Sequence, residues 1–260
     1  MHGHPRSGSI DTAGIRLEWS EAPWDTAIFG DPVLQITSLE VRDETAARED
    51  FTGFERSRDV LGSRLVSCRL PHEKLRESML LEDSGFRFIE MLYQPELDLA
   101  AAVAIESASL SLRIATAADL AGVQQIAGSA FGNERFHMDP RLPVELANRR
   151  YQGWAKSSLS HPSQRLFVLL DDDELVAFFV TEDLADGTCY WHLNAVAPGH
   201  QGKGYGRRAW SAMIRHAQAG GSQRVRSSIV ARNHRVLNLY ARLGFSFPPP
   251  LMTFHWVRPS

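Results

Sequence analysis

The feature that most constrains this chain is the stretch VAPGHQGKGYGRRAW, Val196 to Trp210, where four glycines and three basic residues separate an apolar strand-like run from an amphipathic one. Glycines in a strand-to-helix turn let successive backbone N–H groups point into one concavity, and the positive helix end then faces an anion. Spacing decides between rival phosphate turns. A P-loop needs GxxxxGK followed by Ser or Thr, whereas Gly202-Lys203 is followed by Gly204, so the magnesium-binding hydroxyl is missing. A dinucleotide fingerprint needs GxGxxG with an acidic residue about 20 positions on. Here Gly202, Gly204 and Gly206 make GxGxG. What remains is Gln201-x-x-Gly204-x-Gly206, suited to a diphosphate, with Lys203, Arg207 and Arg208 either adding a favourable field or standing as solvated charges.

Composition narrows the partner. With 28 basic against 31 acidic residues the formal net charge is −3, so nucleic acid is not expected and a small molecule is. The two cysteines, Cys68 and Cys189, stand far apart and outside any CxxC pattern, which points to a reducing, cytoplasmic compartment with no disulfide framework and no metal. His2 and His4 read as part of a frayed terminus rather than as metal ligands. The N-terminus lacks the apolar core of a secretory signal, and no apolar window is long enough to enter a membrane.

A length of 260 residues suits two domains. The first alternates strands and helices: IRLEW, PVLQITSLEV, the helix FERSRDVLG, RLVSCRL, the helix HEKLRESMLLEDSG, then one strand in FRFIEMLYQPELDL. The alanine-rich AAAVAIESAS follows. The expected organisation is a flexible N-terminus over 1–14, an α/β domain over 15–105 and a second α/β domain over 106–260. The second domain reads β-α-α-β-β-β-α-β-α-β-β, with two closing strands around PPP. Alternation in YWHLNAV puts Tyr190, His192 and Asn194 on one face and Trp191, Leu193 and Ala195 on the other. Asn233 is placed to cap the next helix, on which Val236, Tyr240 and Leu243 share a face. LVSCRLPHEKLRESMLLEDSGFRF and VRSSIVARNHRVLNLYARLGFSF also match as strand, helix and Gly-Phe, so the first domain reads either as a degenerate copy of the second or as a chance repeat of a common unit.

Two motifs in order, QGKGYG for Q/RxxGxG/A and VARNHRVLNLYARLGF from Val230 to Phe245, resemble the GNAT superfamily of acyl-CoA-dependent N-acyltransferases, over Leu110 to Val257. WDTAIFG, AFGNERFHMDPR and YQGWAKS resemble, more loosely, its branch acting on nucleotide-linked amino sugars such as dTDP-fucosamine. The resemblance implies a mixed-sheet α/β (α+β) fold with a smaller, degenerate GNAT-like first domain. It implies acetyl-CoA as cofactor, a primary amine as acceptor and direct attack without a covalent enzyme intermediate. The alternatives are a peptide, amino-acid or aminoglycoside amine, or a non-catalytic acyl-CoA-binding module.

The resemblance also assigns residues. Leu193, Asn194, Ala195 and Val196 would hold the pantetheine arm, and Gln201, Gly202, Lys203, Gly204, Tyr205, Gly206 and Arg207 the diphosphate. Asn233 would contact the arm or serve only as a cap. Tyr240 would protonate the leaving thiolate, and His192 would be the general base, with Glu182 or a water chain as alternatives. Arg135, His137, Asp139, Tyr151 and Tyr190 would shape the acceptor pocket, with Trp154 a stacking or core residue and Trp24 a domain-interface anchor. Leu81 stands opposite Tyr240 in the internal match, so the first domain is not expected to be a second site of the same kind. A homodimer is compatible with this reading.

Overall fold

The computed structural model describes residues 5–101 and 110–259; His2, His4 and the boundary at 105/106 lie outside them. The chain begins β1 (Ser7–Asp11), β2 (Ile15–Glu21), α1 (Pro23–Phe29), β3 (Val33–Val41), α2 (Glu44–Val60), β4 (Leu65–Pro71) and α3 (Leu75–Asp83). It continues β5 (Arg87–Tyr93), β6 (Glu96–Asp98), β7 (Ser111–Ile114), α4 (Leu120–Ala127), α5 (Arg135–Met138), α6 (Val144–Ser158), β8 (Gln164–Asp171) and β9 (Glu174–Asp183). It ends β10 (Thr188–Val196), α7 (Tyr205–Ala219), β11 (Arg224–Ser227), β12 (Ile229–Val230), α8 (His234–Arg242) and β13 (Leu251–Val257). Among the described residues no helix is long and apolar enough to cross a membrane.

The result is a mixed α/β protein with two sheets. One unit holds residues up to Leu92, Asp139–Arg141 and the segment from Pro249; the other holds Tyr93–Met138 and Leu142–Pro248. These are not the two sequence blocks expected. FRFIEMLYQPELDL breaks at Gln94-Pro95 into β5 and β6, because proline cannot donate to a ladder. β6 then pairs with β11 in the second unit, while a single strand after PPP, β13, pairs with β4 and β5 in the first. Ser7–Asp11 is a strand paired to β2 rather than part of a flexible tail. PWDTAIF is a helix with Pro23 in its first turn, and Trp24 on it is 62% exposed rather than buried as an anchor.

In the second unit the sheet order is β6-β11-β10-β9-β8-β7. β9 is buried without a break from Val176 to Thr181, as a strand covered on both faces must be. One core sets Trp191, Val225 and Phe179 against Trp210, Met213, Tyr240 and Leu243 of the α7–α8 side. The other sets Val168, Phe178 and Leu193 against Val123, Ile126, Tyr151 and Ala155 of the α4–α6 side. In the first unit the order β1-β2-β3-β4-β13-β5 is covered by α2, whose Ala47, Phe51 and Phe54 form the buried stripe.

The internal match extends to register. β3 pairs in parallel with β4 from Val33↔Leu65 to Ile36↔Cys68 and then runs on to Val41. β10 pairs in parallel with β11 from Thr188↔Arg224 to Trp191↔Ser227 and then runs on to Val196. The fifth residue of each is skipped by the antiparallel neighbour: Thr37 between Trp19↔Ile36 and Glu18↔Ser38, His192 between Trp191↔Thr181 and Leu193↔Val180. α3 and α8 both run into a left-handed glycine, Gly85 at φ 82° and Gly244 at φ 86°, followed by a buried phenylalanine.

Candidate active site

The site is built where β10 outruns β11. Ser227 Oγ donates to the Trp191 carbonyl at 3.0 Å and closes the paired part. Beyond it the β11-facing edge of β10 has no β11 partner, so backbone groups within Leu193–Val196 are left open to a ligand. These are the residues expected along the pantetheine arm.

The bulge at His192 corrects the expected faces. An extra residue re-aims every side chain after it. Trp191 packs with Trp210 and Tyr240, whereas Leu193 and Ala195 pack on the α4–α6 side. Tyr190 and His192 share one face, ring centroids 4.7 Å apart, with Trp154 6.2 Å from His192. Asn194 does not join them; it lies on the opposite face, beside the Tyr240 hydroxyl.

His192 Nε2 meets Glu182 Oε2 at 2.7 Å, and Nδ1 has no hydrogen-bond partner among the described residues. Burial pulls the imidazole below its ordinary pKa, against the hydrogen bond and charge of Glu182 that push it up. Ser163 and then His192 hold the Glu182 carboxyl below its usual range. At neutral pH the pair is therefore a neutral imidazole donating Nε2–H to a carboxylate, with the Nδ1 lone pair free. Tyr240, 1% exposed, has its hydroxyl among Ser227, Trp210 and Asn194; burial pushes the phenol up, so it is protonated at neutral pH. Tyr190 donates to or accepts from Ser228 Oγ at 2.7 Å, just past the end of β11.

Downstream, one 3-10 turn at Pro198–His200 leads to Gly202 at φ 78° and Gly204 at φ 88°. No atom lies within 4 Å of where either Cβ would stand, so both glycines border open space. Gly204 caps α7 without a side-chain acceptor, which leaves the first N–H groups of a 15-residue helix for an anion. The turn therefore fits a diphosphate. Side chains and small residues of the motif also build the turn itself. Gln201 Nε2 donates to the Val196 carbonyl at 3.0 Å and its Oε1 accepts from Arg235. A Cβ on Gly206 would stand 3.2 Å from Leu239 Cδ2, so that glycine lets α7 approach α8. Arg208 grips Asp171 through two bonds of 3.0 and 2.7 Å, and Tyr205 donates to the same carboxylate. Arg208 and Tyr205 hold the Asp171 carboxyl down at about 2. Arg208 is thus neutralised, and Lys203 and Arg207 are the exposed cations at the turn. Asn233 Oδ1 accepts from Val236 N–H at 3.3 Å, the capping role.

The acceptor candidates do not assemble as expected. Tyr151 is 5% exposed, stacked on Phe131 at 4.7 Å, and is a core aromatic rather than a sugar platform. His137 stacks on Tyr151 and its Nε2 meets Asn148 Oδ1 at 2.8 Å. Arg135 lies over the Phe136 ring at 4.5 Å. Asp139 belongs to the first unit, fully buried, with Arg141 bonded to it at 2.8 Å through both Nε and Nη2 and His255 Nδ1 at 3.0 Å. Burial alone would raise its carboxyl; Arg141 and His255 overcome that and hold it well below the carboxylate range. It is a structural ion cluster, not an acceptor contact. Ser163, Ser227 and Ser228 also border the site; the sequence marks the last two only by an adjacent serine pair within the otherwise regular RVRSSIVA, and Ser163 not at all.

Residues 125–245 match the model of the acetyltransferase (GNAT) family. The chain is 20% identical over 244 residues to the spore coat polysaccharide biosynthesis protein SpsD of Bacillus subtilis (strain 168), covering 92% of this chain and 82% of that protein. A GCN5-related N-acetyltransferase from Kribbella flavida superposes with a TM-score of 0.61 at 15% identity, over 98% of this chain and 90% of that one. A tandem GNAT protein from the clavulanic acid biosynthesis pathway does so with 0.58 at 14% identity, over 95% and 80%. At those identities the two structures speak for the fold. The family match lies on the strand gap, the glycine turn and α8, so the part of the second unit that carries the candidate site is similar to the acetyltransferase (GNAT) family.

Proposed function

We propose that this protein transfers an acetyl group from acetyl-CoA to a primary amine of a nucleotide-linked aminodeoxy sugar, by direct attack within a ternary complex in the cytoplasm. The observation that carries the reading is the gap where β10 outruns β11, with the Gly202–Gly204 turn beyond its end and His192 and Tyr240 on opposite faces of β10. Backbone groups of Leu193–Val196 would hold the pantetheine arm, and the uncapped N–H groups of α7 with Lys203 and Arg207 the diphosphate. When bound, acetyl-CoA supplies an activated thioester.

The chain's own groups then divide the proton work. His192 accepts the amine proton at Nδ1, because Nε2–H is committed to Glu182. Tyr240, held protonated by burial, is the donor on the other face. Neither cysteine offers a covalent route: burial pushes the Cys68 thiol far above its ordinary range and the Cys189 thiol up to about 12. Tyr190 and Trp154, beside His192, present aromatic faces of the kind that sugars pack on. The polysaccharide-biosynthesis role in the name of SpsD supports the sugar class.

The test is coenzyme A release across an acceptor panel of dTDP-linked amino sugars, free amino sugars, amino acids, peptides and aminoglycosides. Turnover on the nucleotide-linked sugars is expected. Turnover confined to the other amines refutes the sugar assignment. Tight acetyl-CoA binding without turnover on any amine leaves a binding module.

A further inference from the structure

The first unit repeats the strand gap of the second, but its own side chains fill it. Val41, the last residue of β3, stands where Val196 stands in β10. Its N–H donates to Glu77 Oε1 at 3.0 Å, and that carboxylate, on α3, is buried with 4% of its surface exposed. Lys74 Nζ lies 3.3 Å from the same oxygen and balances its charge. When Gly85 is laid on Gly244, the α8 counterpart of Glu77 is Val236, which has no carboxylate to offer.

The other parts of a donor site are closed too. Only Arg42 and Asp43 join β3 to α2, and Asp43 Oδ1 accepts from Thr45 N–H at 2.8 Å and Ala46 N–H at 3.3 Å. The helix donors that would meet a phosphate are taken, and by a negative charge. Thr37 occupies the bulge that holds His192 in the other unit, and Leu81, fully buried, occupies the place of Tyr240.

We infer that the first unit is a second copy of the acyl-carrier fold in which Glu77 takes the place of the carrier arm against the open strand, so that each chain binds one acyl-CoA. The identity of the arm as the ligand of such a gap rests on the function proposed above. A tethered carboxylate meets the strand N–H without the loss of translational freedom that a ligand suffers, and so excludes it.

Hydrogen exchange by mass spectrometry on the full chain tests this, comparing wild type, Glu77→Gln and Glu77→Ala. Glutamine keeps an acceptor oxygen, so the 37–41 segment should stay protected; alanine removes it, and exchange there should rise by about tenfold or more. Acetyl-CoA should protect 193–206 and leave 33–41 unchanged, with calorimetry giving one equivalent per chain. Unchanged exchange in a folded Glu77→Ala variant, ligand protection of 33–41, or two equivalents overturns the inference. Should Glu77→Ala not fold, stoichiometry and ligand protection in the wild type decide it. Absence of any acetyl-CoA binding refutes the proposed function, while the exchange comparison still judges the Glu77 contact.

Discussion

Tyr240→Phe separates a catalytic phenol from a core one. The ring meets Phe245 edge-on at 4.7 Å and Trp210 at 6.2 Å, and phenylalanine keeps both contacts. Only the hydroxyl among Ser227, Trp210 and Asn194 is lost. One buried hydrogen bond contributes about 1 kcal/mol net, rising toward ~2 kcal/mol when a partner is left unsatisfied. For a chain of this size each kcal/mol is worth roughly 2–4 °C, so Tm should fall by a few degrees. A positioned general acid contributes about 10²–10⁴ in rate, which is roughly 2.7–5.5 kcal/mol of barrier. The two roles thus differ by well over an order of magnitude in turnover while predicting the same melting curve. Steady-state coenzyme A release at saturating acceptor should drop at least about a hundredfold with the KM for acetyl-CoA unchanged. The phenol pKa is raised, so the deficit should be flat across neutral pH. A thioester with a more acidic leaving thiol should recover part of the rate, because such a thiolate needs less help. Turnover within about twofold of wild type, alongside the expected loss in Tm, refutes the acid assignment and leaves Tyr240 as a packing residue.

Three further outcomes follow from the geometry. Glu182→Gln removes the charge that opposes burial at His192, so the imidazole pKa drops further and the acid limb of kcat/KM should move to lower pH. Loss of activity at every pH makes Glu182 itself the base, and an unmoved limb removes the coupling. Gly204→Ala forces a left-handed φ of 88° on a side chain, costing about 1–2 kcal/mol, with open space for the new methyl. Its KM for acetyl-CoA should rise at least about tenfold, whereas Gly206→Ala, helical and 3.2 Å from a leucine methyl, should stay within about 1 kcal/mol in a thermal melt. Asp139→Asn breaks a fully buried ion cluster and should cost about 3–5 kcal/mol of stability in a denaturant titration, without changing either KM. Because the folded pKa of Asp139 is depressed, the wild-type contribution is complete above the ordinary carboxylate pKa and is lost as pH falls toward the folded value.

The donor half of the site was legible because it is local. Gly202 and Gly204 are required where the backbone takes a positive φ, Asn233 where a helix needs a cap, and each announces itself within a few residues. Local chemistry fails where a partner strand or a distant residue decides. YWHLNAV alternates without a flaw, and nothing in it says that β9 skips His192; only the neighbour's register does, and that one residue moves Asn194 to the other face. Asp139 reads as a polar loop residue because its partner His255 is 116 positions away. The Gly-Phe match between the halves was visible, yet the buried Glu77 that closes the first copy looks like one more charge on an amphipathic helix until Val41 is placed beside it. The same division runs through the candidate site within the second unit. The turn and helix end proposed to bind the constant donor are written in spacing; the surface proposed to choose the amine brings together β10, α6 and the loop around Ser163, elements whose meeting no short motif records. Acceptor choice should therefore change through substitutions at Tyr190, Trp154 and Ser228 that leave the glycine turn untouched, with the KM for acetyl-CoA constant while the acceptor profile shifts.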